Sequence, residues 1–256
     1  MSDDVPLLEF EKVHLVHSQR REVTLFTEFN WRILPGEFWI VGSAQGAGKS
    51  ALIESAAGRN RPESGTIRLF GEPVFAESQQ QAEQVRRRVG LVYDQGGRVF
   101  HHLNVAENIT LPLRYHRHLS FEEALAELEP LIKAAEIERL LPIGAGRVSR
   151  GWAWRIACVR ALAMQPELLL LDNPMSGLDR EHSRWCRAFV DQLMSGGIGV
   201  FKPSAAILAC DDLRPWVGVG RQFALAVSGH FRELGDRRKV VESTEPSVRE
   251  LLERDY

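Results

Sequence analysis

The sequence has no long apolar run, no paired cysteines and no excess of either charge. Its richest apolar stretch, Leu168–Leu171, spans four residues between Glu167 and Asp172. A bilayer span needs roughly 18 or more. The opening Met1-Ser2-Asp3-Asp4 carries no positive charge and leads into no apolar run, so no secretory leader is expected. These absences predict a cytoplasmic protein, and any membrane process it serves needs another chain to cross the bilayer. The only cysteines are Cys158, Cys186 and Cys210, with no CxxC or Cys/His ligand spacing. That excludes a disulfide framework and fits a reducing compartment. Lys+Arg is 32 against Asp+Glu 34, a net charge of −2, which excludes a broadly basic nucleic-acid binder. His101-His102 and His116/His118 lack acidic or thiol partners at ligand spacing, so no metal is expected there. Arg86-Arg87-Arg88 reads as a solvated helix face.

Hydrophobic residues make up 44% and charged residues 26% of the 256 positions, a globular composition. The length suits one large domain or two small ones, and no linker or internal repeat divides the chain. Leu7-Leu8-Glu9-Phe10 alternates like a strand, and Val13–Val16 and Phe29–Ile33 read as strands. Pro35-Gly36-Glu37 is a turn into the continuous apolar run Phe38–Gly42, which suits a buried central strand. Residues 51–57 read as a helix ended by Gly58, and 101–165 as mostly helical. Ser120 and Glu123 have capping-box spacing. Leu125, Leu128, Leu131, Ile132 and Ala135 form a core stripe that Pro130 should kink or split. Leu168–Leu171 and Ala205–Ala209 are further buried strands. Strands alternating with helices predict an α/β core with a largely parallel sheet.

The most informative segment runs Ser43-Ala44-Gln45-Gly46-Ala47-Gly48-Lys49-Ser50, between the central strand and a helix that opens at Ala51. Glycines let the backbone approach a phosphate closely, and the helix N-terminus then faces the negative charge. Lys49 has the reach for the β- and γ-phosphates, and the Ser50 hydroxyl can ligate Mg²⁺. The first position of the usual GxxxxGK[ST] pattern is Ser43, with Gly42 one residue early. Asp172 ends the Leu168–Leu171 strand, where a carboxylate can hold Mg²⁺ from the opposite side.

These landmarks, in order along nearly the whole chain, resemble the ATP-binding cassette (ABC) family of nucleotide-binding subunits. The resemblance is carried by Lys49-Ser50-Ala51-Leu52-Ile53, Gly58, Pro62–Ile67 with Gly71, Val148–Trp152 at the signature position, Arg155, Arg160-Ala161-Leu162, and Ser176-Gly177-Leu178-Asp179 as a D-loop. It implies an α/β P-loop NTPase of ABC type: a mixed or parallel sheet core, an N-terminal antiparallel β subdomain and a helical subdomain near 98–163. All of this is expected in one nucleotide-binding domain spanning 1–256. ATP and Mg²⁺ are the implied cofactors. The implied ATP loop is Ser43 to Ala51. Ser50, Asp172 and a Q-loop residue are the implied metal ligands, with Gln95 preferred over Asp94. The implied signature residues are Ser149, Arg150 and Gly151. The implied partners are a membrane permease and a second nucleotide-binding subunit, identical or not, on the inner face of the membrane. Phe100–Ile109 with Leu111–Arg114, and the tail Pro246–Leu252, are similar to the ATPase subunits of Mla/Mce-type lipid transporters. That likeness implies lipid transport and further transport components.

Departures from the family pattern are concentrated in the hydrolytic parts. Asn173 stands where the family has the Glu that polarises the attacking water, and an amide cannot accept the proton. Cys210 stands at the switch histidine; as a residue it reads as a small buried side chain at a strand end rather than a redox thiol. Arg150 and Trp152 replace a Gly and the Gln of the signature, and Leu15 falls where an aromatic stacks on adenine. The parts that hold Mg-ATP survive and the parts that hydrolyse it do not. The expected function is an ATP-binding transport subunit with weak or absent hydrolysis. The alternative is a non-transport soluble cassette or nucleotide-dependent scaffold.

Overall fold

The computed structural model describes residues 5–17, 20–44, 46–75, 79–94, 98–227 and 229–253. In chain order its elements are β1 (Leu8–Val16), β2 (Thr24–Ile33), β3 (Phe38–Gly42), α1 (Lys49–Ala56), β4 (Ser64–Leu69), β5 (Glu72–Pro73), α2 (Gln79–Arg87) and β6 (Val89–Val92). Next come α3 (Val105–Arg117), α4 (Phe121–Glu127), α5 (Glu129–Ala135), α6 (Arg150–Leu162) and β7 (Leu168–Asp172). The chain closes with α7 (Arg180–Ser195), β8 (Ala205–Cys210), β9 (Gln222–Val227), β10 (His230–Gly235), α8 (Arg237–Val241) and α9 (Pro246–Glu253).

The first sheet is antiparallel, in the order β2-β1-β4-β5. The expected strands at 7–10 and 13–16 are one strand, β1. Register shifts near Lys12, whose φ is +48°, let it bend without breaking. Phe10, Phe26, Phe29 and Trp31 pack as an aromatic row on its inner face.

The second sheet runs β10-β9-β3-β8-β7-β6. Every pair from β9 to β6 is parallel, and only the β9–β10 hairpin is antiparallel. Strands β3, β7 and β8 are buried at every position, so period-two alternation sorts their side chains between two cores. Trp39, Val41, Leu168, Leu170, Ile207 and Ala209 face the core shared with the antiparallel sheet and α1. Phe38, Ile40, Leu169, Leu171 and Leu208 face the core filled by the helices between β6 and β7 and by α7. The expected α/β architecture is observed.

Between β6 and β7 the chain is helical. Ser120 and Glu123 form a capping box at α4, and Asn104 with Glu107 forms another at α3. Pro130 splits the predicted helix: Leu128 closes α4 and starts α5, with the proline in the first turn, where its missing N–H costs nothing. Of the expected stripe, Leu128, Leu131, Ile132 and Ala135 are buried, while Leu125 is half-buried at its edge. The arginine run is less uniform than expected. Arg87 pairs with Glu83, while Arg88 forks onto Glu167 at 2.5 and 2.9 Å and lies over the Phe70 ring. All three cysteines are free and buried. No helix among the described residues is long and apolar enough to cross a membrane.

A single buried cation ties the helices together. Arg155 on α6 is 1% exposed. Its Nε donates to His182 Nδ1 at 3.2 Å, and its Nη1 donates to Ala135 O at 3.2 Å and Glu136 Oε2 at 2.6 Å. Its guanidinium carbon lies 4.4 Å from the ring centroids of both Trp152 and Trp185. Only a flat cation that is weakly hydrated and always charged fits between two indoles while its fork serves three acceptors. Arg155→Ala is expected to lower the stability of the nucleotide-free chain by about 3 kcal/mol. Arg155→Lys is expected to recover less than half of that loss. Denaturant midpoints at constant slope measure both effects.

Candidate functional site

The site is built by strand register. Gly42 at the end of β3 pairs with Cys210 at the end of β8, and Asp172 at the end of β7 pairs with Ala209. The carboxyl ends of the central parallel strands therefore stop level, and the loops that follow open onto one crevice, the usual ligand position in such sheets. Cross-bonds brace these loops: Ser43 N donates to Cys210 O at 3.0 Å, and Asn173 N donates to Ala209 O at 2.8 Å.

Gly42 is a strand residue rather than part of the loop. A Cβ there would stand 2.9 Å from a methyl of Leu251 on α9 and 3.1 Å from one of Leu213, so glycine lets α9 pack closely on the strand end. Ser43, fully buried, starts the loop. Gly46 and Gly48 take φ of +81° and +98°, left-handed conformations that glycine adopts without steric cost. Ala47 N donates to Ala44 O. The helix begins at Lys49, two residues before the expected Ala51, so Lys49 and Ser50 lie in its first turn. Lys49 Nζ donates to Ser43 O at 2.9 Å and Ala44 O at 3.0 Å. The ammonium is thus folded over the loop's own carbonyls, at the mouth where an anion would sit. Gln45 and Gln95 lie outside the described residues.

Asp172 faces this loop. It is 3% exposed, and its Oδ1 is buried with no hydrogen-bond partner. Burial pushes its carboxyl above the usual range, Asp94 adds to this, and the Ser50 hydroxyl bond and Lys49 pull the other way. A buried carboxylate with an unused oxygen beside a hydroxyl is the hard-oxygen pair that a divalent cation takes. The residues therefore fit Mg²⁺, with Ser50 and Asp172 as its holders.

Asn173 follows at φ +47°, a left-handed position that Asn tolerates better than most residues. Cys210 is 3% exposed, and burial drives its thiol strongly toward the protonated form. It serves as core packing and projects nothing into the crevice. Leu15 is likewise fully buried in the antiparallel subdomain and unavailable for stacking on a base.

The residues that the resemblance reads as the signature, Ser149 to Gly151, lie at the start of α6. Ser149 is the N-cap but makes no side-chain cap bond. A Cβ on Gly151 would stand 2.1 Å from the His182 ring, so glycine is needed there. His182 itself, 6% exposed, accepts the Arg155 bond at ring Nδ1, and its backbone N–H donates to Asp179 Oδ1 at 2.9 Å. Asp179 thereby caps α7, and Gly177 turns the D-loop at φ +65°. Sequence reasoning missed His182. Its only signal was its position three residues after a capping Asp and three before Trp185, on one helix face.

A cavity of about 530 Å³ opens beside the loop after β6. Its walls include Phe100 and Tyr115, 43% and 69% exposed, with Arg59, Arg86 and Pro112. Among the described residues no group of His, Cys, Asp or Glu forms a separate metal cluster.

The family model described as ABC transporter matches residues 26–176. The chain belongs to that family. The cassette is similar to the methionine import ATP-binding protein MetN of Nocardia farcinica, 33% identical over 181 residues, which cover 70% of this chain and 53% of that protein. It is also similar to the intermembrane phospholipid transport system ATP-binding protein MlaF of Haemophilus influenzae, 26% identical over 162 residues, 63% and 61% of the two chains. The cassette spans about half to three fifths of the length of the first curated relatives it matches. Its fold matches the ATP-binding cassette MJ0796, solved as a dimer in a post-hydrolysis state with ADP and Pi, at a TM-score of 0.78 and 24% identity. That match covers 89% of this chain and 98% of the other.

The buried acid in this cassette sets a test. Because the folded pKa is raised, the folded chain holds an extra proton between the two titrations and loses stability as pH rises through that window. Asp172→Asn is therefore expected to stabilise the nucleotide-free cassette by about 1 kcal/mol near neutral pH. The same change is expected to weaken Mg²⁺-dependent nucleotide stabilisation at least tenfold in affinity. Thermal melts with and without Mg-ATP read both effects.

Proposed function

We propose that the chain is the ATP-binding subunit of an ABC transporter, a single nucleotide-binding domain over 1–256 with its helical subdomain near 98–163. It binds Mg-ATP at Ser43 to Ala51 and hydrolyses it weakly or not at all at its own site. The observation that carries this reading is the pairing of an intact holding apparatus with a neutral water position. Lys49, Ser50 and the unsatisfied Asp172 converge on one crevice, while the residue after Asp172 is Asn173.

Ser50 and Asp172 would hold Mg²⁺, which would supply positive charge against the phosphates. Lys49 exchanges its two carbonyl partners for phosphate oxygens, a stronger charge-assisted contact. The N–H groups from Gly46 to Ser50 and the N-terminus of α1 cradle the anion. Asn173 can orient water but cannot accept its proton. Cys210 supplies neither a long reach nor a charge.

The aromatic, arginine-rimmed cavity near Phe100 and Tyr115 is the docking place we assign to a cytoplasmic helix of a membrane permease. The second partner is another nucleotide-binding subunit, which meets this chain at the signature and D-loop. The complex sits on the inner face of the membrane. Lipid is the proposed cargo, supported by the motifs at 100–114 and 246–252 and by the likeness to MlaF.

Isothermal titration should show Mg-ATP binding that Lys49→Ala weakens strongly; affinity untouched by that change contradicts the site. A missing general base is worth about 10²–10⁴-fold in rate. Asn173→Glu alone should restore little, because Glu at a left-handed position costs about 1–2 kcal/mol and Cys210 stays silent. Asn173→Glu with Cys210→His should exceed the product of the single gains in steady-state phosphate release. Unmodified protein turning over near 1 s⁻¹, abolished by Lys49→Ala, contradicts weak hydrolysis. Detergent-solubilised membranes should yield an integral membrane protein with the purified chain, and repeated recovery of soluble partners alone favours a scaffold.

A further inference from the structure

Arg150 is the first residue of α6, and the first turn holds no acidic residue. A cation at a helix N-terminus sits at the unfavourable end of the dipole, a cost of about 0.3–1 kcal/mol. Its position therefore serves a contact outside the helix. The Arg150 Nη2 lies 3.6 Å from Asp94 Oδ1, two residues beyond β6, and 3.5 Å from Ser176 Oγ in the D-loop. The guanidinium lies over Gly177, where a Cβ would stand 2.5 Å from Nη1. One side chain thus bridges the start of α6 and the loops after β6 and β7. The pair is half wet, with Arg150 40% and Asp94 26% exposed, so it is weak and reversible.

We propose that the Arg150–Asp94 ion pair is a latch within one chain that holds the start of α6 against the D-loop and opposes nucleotide-dependent pairing of two copies. The guanidinium covers Ser176 and Gly177. A second copy that packs on the D-loop and the start of α6 must first displace it. The pairing part rests on the two-copy reading above; the latch itself does not.

The test uses Arg150→Ala, Asp94→Asn and the swap Asp94→Arg with Arg150→Asp, all in the full chain. In the nucleotide-free protein, the amides of Ala153, Ser176 and Leu178, bonded to Ser149 O, Asn173 O and Met175 O, should exchange faster in both single variants and return toward the parent rate in the swap. Unchanged exchange, or no rescue by the swap, overturns the latch. By sedimentation with Mg-ATP, each single variant should tighten the dimer up to about fivefold, and less so at high salt. A weaker dimer for Arg150→Ala beside an unchanged one for Asp94→Asn means that Arg150 serves the other copy's nucleotide, which overturns the proposal. No dimer from any variant overturns the two-copy reading and with it the pairing half of the proposal, while the exchange data still decide the latch.

Discussion

The in-register ending of β3, β8 and β7 is the constraint on which the rest of the molecule depends. Pairing Gly42 with Cys210 and Ala209 with Asp172 brings loops from distant parts of the chain to one edge. The register is held because these strands are buried on both faces. Slipping one of them by a residue would exchange the Trp39/Val41 and Phe38/Ile40 sets between two different cores. The strand ends that carry the site are therefore part of the core, and its chemistry is decided by the few residues just past each strand.

Around that edge the two remaining layers have different tasks. The antiparallel sheet packs its aromatic row against the face that carries Trp39 and α1, which fixes the direction in which the loop leaves β3. The helices between β6 and β7 bring Ser149, Arg150 and Gly151 to the D-loop from the other side. Arg155 and His182 secure them there: the ring of His182 leaves no room for a side chain at position 151, and its backbone is fixed through Asp179. C-terminal α9 closes the underside by placing Leu251 against Gly42.

Much of the crevice was legible in the sequence because phosphate chemistry dictates residue types at short spacing. Gly46, Gly48, Lys49 and Ser50 lie within five positions, and Asp172 ends an unmistakable apolar run. The unusual start at Ser43 became intelligible only with the packing of Leu251 on Gly42, a contact across most of the chain. Contacts of this kind account for the rest of what was missed. The Arg155–His182 bond joins residues 27 apart, and the Arg150–Asp94 pair joins residues 56 apart, with no local periodicity to announce either. The bend at Lys12 breaks the alternation on which strand recognition relies, so β1 looks like two strands in the sequence. The β9–β10 hairpin was not read at all, since Phe223-Ala224-Leu225-Ala226 offers little β-branched character.

On the proposed function, holding a nucleotide and breaking it fall to different residues. Lys49, Ser50 and Asp172 are placed by the strand ends and α1, whereas the position to which the family resemblance gives water activation holds Asn173, a neutral amide in a left-handed conformation. The most direct measurement is the chemical identity of the nucleotide after stoichiometric binding, followed by phosphorus NMR over many hours with purified protein and Mg-ATP. The account predicts a saturable, protein-bound ATP signal that stays intact on the timescale in which an active cassette would convert it. Stoichiometric conversion to ADP and phosphate within minutes would contradict it.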